Sequence, residues 1–277
     1  MTRLLISIFV FSGLSGLKAQ IPAKTPPKVF KTNRKGQFYG AWGWNRDAYT
    51  NSTLHLRGDD YDITLHKMKA HDKPSEVSYH NYLEPDRITI PQTNLRLGYF
   101  VKDNLAITFG VDHMKYVMTQ DQTIDVTGSI TRTSSYKGEL SGPMVISEDF
   151  LTFEHTDGLN LVNIGVEKYA NFHQSKDNQF SIDGLAGGEL GVMIPKTNAK
   201  LLDYERNDEF HVSGFGALLK AGIGFTFFKH LVLKSELKGG YINMWDIILH
   251  EKGVNGKGSQ DFLFVQGNVL LGFIFKI

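Results

Sequence analysis

Residues 94–112 read NLRLGYFVKDNLAITFGVD. Leu95, Leu97, Tyr99 and Val101 alternate with Asn94, Arg96, Gly98 and Phe100. After Lys102-Asp103-Asn104, Leu105, Ile107, Phe109 and Val111 alternate with Ala106, Thr108, Gly110 and Asp112. Successive side chains on a strand point to opposite faces, so the stretch is a hairpin with one apolar face and one mixed face. The pattern recurs toward the C-terminus. Phe215, Ala217, Leu219, Ala221, Ile223, Phe225 and Phe227 oppose Gly214, Gly216, Leu218, Lys220, Gly222, Gly224 and Thr226. Leu231, Leu233, Ser235 and Leu237 oppose Val232, Lys234, Glu236 and Lys238, and Val265, Val269, Leu271, Phe273, Phe275 and Ile277 oppose Gln266, Asn268, Gly272 and Lys276.

The 277 residues carry 30 Lys+Arg against 29 Asp+Glu, a net charge of +1, so no strong field favours nucleic acid as a partner. The absence of cysteine excludes disulfides, zinc–thiolate sites, iron–sulfur clusters and a cysteine nucleophile. Gly 28, Phe 19 and Tyr 11 beside only Pro 8 suit many short twisted strands. At the N-terminus, Arg3, the apolar run Leu4 to Phe11 and a Ser/Gly-rich close on Leu17-Lys18-Ala19 read as a signal peptide over 1–19, too short to span a bilayer. Residues 20–35, with Pro22, Pro26, Pro27 and several basic residues, read as an extended periplasmic arm, which leaves 36–277 for the main body.

A soluble sandwich also alternates. Three features point instead to a membrane barrel. The mixed face is rich in glycine and in charges of both signs, which suits a crowded lumen. Connections alternate in length, short at 102–104, 172–178 and near Lys229, long at roughly 119–157, 195–210 and 249–260. Phe38, Trp42, Trp44, Tyr99, Phe100, Tyr116, Tyr169, Phe180, Phe227, Phe228, Tyr241 and Trp245 cluster near strand ends as interfacial girdles would. The expected fold is all-β, a closed antiparallel transmembrane β-barrel of 8 to 10 strands with long extracellular loops. Spans lie near 37–46, 92–101, 105–118, 158–170, 179–193, 211–228, 230–248 and 261–277. The segment Ser52 to Ala70 adds two short strands about the turn Gly58-Asp59-Asp60. Eight and ten both keep the parity that periplasmic termini require; the reading favours ten, with that turn periplasmic.

The closing residues Leu270, Gly272, Phe275 and Ile277 resemble the C-terminal assembly signal of Gram-negative outer-membrane proteins. The Gly/aromatic segments and the hairpin Asn94 to Met118 are similar to small outer-membrane β-barrel families, porin-like and OmpA/OmpW-like, over nearly all of the mature chain. The resemblance implies the Gram-negative outer membrane after cleavage of the signal peptide. It implies outer-membrane lipid, lipopolysaccharide and the barrel-assembly machinery as partners, and a place in an outer-membrane protein complex. No family motif here is tied to a chemistry.

Carried through the strands, the alternation turns Asp112, Glu167, Asp183, Glu189 and Glu236 inward with Arg96, Lys220, Lys234, Lys238 and Lys276. An unpaired charge in a low-dielectric wall is costly, so this balanced set should cross-pair and close the bore; a charge-selective pore would carry an excess of one sign. A non-enzymatic structural, adhesive or complex-forming barrel is therefore the first expectation. A small passive diffusion channel for polar solutes and a lipid-A-modifying hydrolase are the alternatives. The hydrolase lacks a G-x-S-x-G elbow, and Ser129, Ser134 and Ser135 fall in a loop. His113 and Lys115, outward near the outer end of their strand, are candidates for lipopolysaccharide phosphates. His66, His71-Asp72 and His80 lack a diagnostic ligand spacing, so neither metal nor cofactor is expected. Arg57-Gly58-Asp59 and Asn51-Ser52-Thr53 read as turn chemistry, and the long segment Thr119 to Thr156 as an outward hairpin.

Overall fold

The computed structural model describes residues 32–82, 84, 91–207 and 209–276; the expected signal peptide, residues 20–31 of the arm and Ile277 lie outside them. Eight long strands form the wall: β1 (Gln37–Tyr49), β5 (Thr93–Lys102), β6 (Leu105–Met118), β9 (Leu151–Gln174), β10 (Phe180–Pro195), β12 (Gly214–Phe227), β13 (Leu231–Ile248) and β14 (Gly256–Lys276). Each pairs antiparallel with the next in that order. The path returns to its start where β1 pairs β14 from Gln37↔Lys276 to Tyr49↔Phe264. Closure of this ring leaves none of its strands with an open edge at membrane depth, the condition for strands to stand in lipid.

Period-two burial runs down every wall strand. In β14, Gln266, Asn268, Leu270 and Ile274 are buried while Val265, Val269, Leu271, Phe273 and Phe275 are exposed. The exposed face is a continuous apolar band that includes Leu97, Ile107, Ile164, Leu190, Leu219, Ile223 and Leu237, with Leu219 74% exposed. Such a band on every side of a cylinder has no stable place in water and matches acyl chains. Fold and band together make the chain a transmembrane β-barrel of the outer-membrane kind.

Gln37 and Lys276 mark the end where both chain termini of the ring lie. The short turns at 103–104, 175–179 and 228–230 share it, which makes it the periplasmic end. Asn178, Phe228 and Lys229 hold positive φ there, which lets the hairpins turn in so few residues.

At the other end the strands overshoot. β9 runs for 24 residues and β14 for 21, about twice the ~9–11 that a tilted strand needs to cross the bilayer. The surplus carries a second β layer built from β2 (Ser52–Gly58), β3 (Tyr61–Met68), β7 (Gln122–Ile130) and β8 (Gly138–Ile146), which continue in that order from the outer part of β14. β4 (Ala70–His71) pairs β6, β11 (Asn198–Leu201) pairs β9, and one helical turn, α1 (Tyr79–Tyr82), precedes β5.

This layer decides between the two expected counts. The ring has eight strands, not ten. β2 and β3 do not enter the wall, because Gly58 pairs Gly256 at the outermost end of β14; the Gly58-Asp59-Asp60 turn is therefore extracellular rather than periplasmic. The period-two pattern of Leu54, Leu56, Ile63 and Leu65 is genuine, but those side chains pack an extracellular core with Met68, Tyr116, Val126, Phe150, Phe153, Leu249 and Phe262. The segment after Thr119 forms the β7–β8 hairpin. Ser129 lies within β7 rather than in a loop, while Ser134 and Ser135 sit in the hairpin's turn.

Candidate functional site: the closed bore and the outer rim

The bore is narrow because eight strands enclose little more than their own inward side chains. Arg96 on β5, Asp112 on β6, Glu167 on β9, Glu189 on β10, Lys220 on β12, and Lys234, Glu236 and Lys238 on β13 are all nearly or fully buried. In the upper half, Arg96 Nη2 lies 3.2 Å from Asp112 Oδ1 and Nη1 lies 3.1 Å from Glu189 Oε1. Lys238 Nζ bridges the same two acids at 2.8 and 3.4 Å. In the lower half, Lys234 Nζ reaches Glu167 at 3.1 Å and Glu236 at 2.9 Å. Lys220 joins the halves, 2.6 Å from Glu189 and also paired to Glu167. Four carboxylates and four cations thus alternate in one ladder with no excess of either sign.

Neutral side chains add hydrogen bonds to part of the ladder, while Arg96 Nε and Glu236 Oε2 are buried without a hydrogen-bond partner. Tyr39 donates to Glu167 Oε2 at 2.5 Å and Tyr169 donates to the same atom. Asn163 accepts from Arg96 and donates to Asp112 at 3.2 Å. Above the ladder an amide belt links Asn45 to Asn94 at 2.6 Å and Asn94 to Gln266 at 3.0 Å. Above that, Met114, Leu159, Leu161, Met193, Leu218, Ile242 and Phe264 belong to the apolar cluster that continues into the extracellular layer. Two seals of different chemistry therefore stand in series.

Asp183 stands apart from the ladder. It pairs with Arg34, whose Nη2 lies 2.7 Å from Oδ1, and accepts from Asn171 at 3.0 Å. Arg34 packs its guanidinium over Phe100 and Tyr169, at 5.2 and 5.0 Å from the ring centroids, while the backbone N–H groups of Arg34 and Lys35 donate to Asp103. The last residues of the expected arm therefore close the periplasmic mouth. Lys276, placed inward by strand parity, is exposed at the rim instead, and Arg34 supplies the fifth base. Phe100, Tyr116 and Tyr169 likewise leave the expected girdle: all three are buried inside the bore or the outer core. Phe38, Tyr99 and Phe275 do cluster outside near the periplasmic end, with ring centroids 4.6 and 6.4 Å apart.

At the outer rim His113 and Lys115 point outward but are partly covered. His113 Nδ1 meets Asn160 Oδ1 at 2.8 Å, and Lys115 Nζ reaches Ser75 Oγ at 3.5 Å. His66, His71 and His80 are not brought together; they contact Thr127, Thr119 and Glu84 respectively. Among the described residues no group of three or more His, Cys, Asp or Glu is arranged to hold a metal ion. Of the C-terminal set, Leu270 and Gly272 face inward and Phe275 faces lipid.

No protein-family model matches the sequence, and no curated protein matches it. Solved structures do share its outline. The attachment invasion locus protein Ail of Yersinia pestis aligns over 87% of this chain and 99% of its own, at 11% identity and a TM-score of 0.33. The outer membrane protein OprG of Pseudomonas aeruginosa aligns over 89% and 99%, at 10% identity and 0.39. The outer membrane protease OmpT of Escherichia coli aligns over 86% and 97%, at 5% identity and 0.38. The architecture itself rests on the strand pairings, which close without reference to these likenesses.

Proposed function

We propose that the mature chain is a non-conducting, non-enzymatic barrel of the Gram-negative outer membrane that presents its extracellular β layer as a structural or adhesive surface. The observation that carries this reading is the bore. It holds a charge-balanced ladder over its lower part and an apolar core over its upper part, so a hydrated solute would have to displace both. Among the described residues, these two fillings weigh against the diffusion-channel alternative. The large outer layer, anchored through β6, β9 and β14, gives a rigid platform for contact outside the cell. Purified mature protein reconstituted in planar bilayers should show no stable conductance steps. Large, long-lived steps at neutral pH would overturn the proposal.

A further inference from the structure

At the outer end of the wall, three oxygens converge on one atom. Gln92 Nε2 lies 2.6 Å from Asp72 Oδ1, 2.8 Å from Asp47 Oδ2 and 3.3 Å from Asn45 Oδ1. The carboxamide nitrogen has two protons for three acceptors. Its own oxygen, Oε1, is buried with no donor, and Gln92 is 0% exposed. Nor does any lysine or arginine among the described residues ion-pair with Asp47 or Asp72. Lys115 and Lys73, on the outward side, engage Ser75 and Glu154 instead. Two half-buried carboxylates thus share a site whose direct hydrogen-bond donors are amides, with Lys115 only at longer electrostatic range of Asp72: Gln266 donates to Asp47 Oδ1 at 2.9 Å, and the Asp47 backbone N–H donates to Asp72 at 3.0 Å.

We propose that this site binds a calcium ion. A half-turn of the Gln92 carboxamide sets its orphan oxygen beside Asn45 Oδ1, Asp47 Oδ2 and Asp72 Oδ1, giving four oxygen donors around one point. Bonds of about 2.3–2.6 Å meeting at roughly right angles or less space neighbouring ligand oxygens about 2.8–3.4 Å apart; the three acceptors stand 2.6, 2.8 and 3.3 Å from the Gln92 terminal nitrogen, the position its oxygen takes after the half-turn. The donors are all hard oxygens, with no imidazole or sulfur, which selects a group-two cation over zinc or copper. The ion neutralises both carboxylates. It also clamps β1, the segment after β4 and the residue leading into β5 to one another, fixing both ends of the 72–92 connection to the rim. With two carboxylates the affinity belongs to the weak extracellular range, on the order of 10⁻⁴–10⁻³ M.

The test is calorimetric titration of CaCl₂ into the folded, mature protein in detergent micelles, with hydrogen exchange followed in parallel. One Ca²⁺ should bind per chain and slow exchange at residues 72–82 and 91–93, and EDTA should reverse the effect. Asp72→Asn, outside the wall and therefore compatible with a folded ring, should weaken binding by at least about tenfold; its heat-dependent gel shift serves as the folding control. Absence of both heat and added protection up to about 10 mM Ca²⁺ would overturn the site. So would unchanged affinity in Asp72→Asn and Asp47→Asn alike.

Discussion

Glu167 is the most heavily used carboxylate of the bore: it meets Lys220 and Lys234 as an anion and accepts from both Tyr39 and Tyr169. Glu167→Gln keeps the shape but removes the charge. It also turns one acceptor into a donor that faces ammonium and phenol groups. The ladder is left with three acids for four bases in a buried region, and breaking one partner of a buried ion pair typically costs about 3–5 kcal/mol. A second change, Lys234→Met, removes the surplus cation and puts an apolar stem in its place. Replacing a buried pair by apolar groups is often close to neutral, so the double variant should regain most of the loss. Reversible urea unfolding of the barrel in lipid vesicles, read by the heat-dependent gel shift and tryptophan emission, measures Glu167→Gln, Lys234→Met and the double variant. If the double variant loses at least the sum of the single losses, charge balance does not hold this bore together and the reasoning fails.

Gly110 faces the guanidinium of Arg96 so closely that a Cβ would lie 2.0 Å from Nη1. Because Arg96 is fully buried and held by three partners, Gly110→Ala should destabilise the barrel by about 1–3 kcal/mol in the same assay; a neutral result would mean the guanidinium yields freely. In the outer layer, His250 meets Tyr61 at 2.6 Å and stacks on Tyr204 at 4.1 Å between centroids. Burial holds its pKa at about 4, from an ordinary 6.5. Above pH 6.5 the ring is neutral whether folded or unfolded and contributes no pH dependence. As pH falls from 6.5 to 4 the unfolded layer takes up the proton first, so stability drops by up to ~3 kcal/mol. Limited proteolysis of the outer layer across that window should show wild type opening earlier than His250→Gln. Equal sensitivity would remove His250 from the account.

The wall was readable because lipid on one side and a crowded bore on the other impose the strictest alternation a strand can carry, as 94–112 displays. The inward parity of Arg96, Asp112, Lys220 and Lys238 follows from that alternation alone, but their partners do not: Lys220 meets Glu189 across strands whose register no local pattern records. Phe100 shares the parity of Arg96, which places it in the bore; its aromatic ring alone would fit a girdle equally well. Leu54 to Leu65 misled because period two reports a half-buried strand without saying what covers it, acyl chains or another β layer. Arg34 precedes the periodic pattern, and Asp72 and Gln92 lie in the irregular stretch between β4 and β5, where nothing local signals a convergence with Asp47.

The seam between β1 and β14 brings the first and last strands of the ring together, while the ladder draws its members from β5, β6, β9, β10, β12 and β13. A partly synthesised chain holding only the early strands would expose Arg96, Asp112 and Glu167 without Lys220, Lys234 or Lys238 to meet them. No half of the cylinder is therefore a comfortable resting place, and adoption of the final shape must wait for delivery of the whole polypeptide. The polypeptide must therefore stay open until its closing strand arrives.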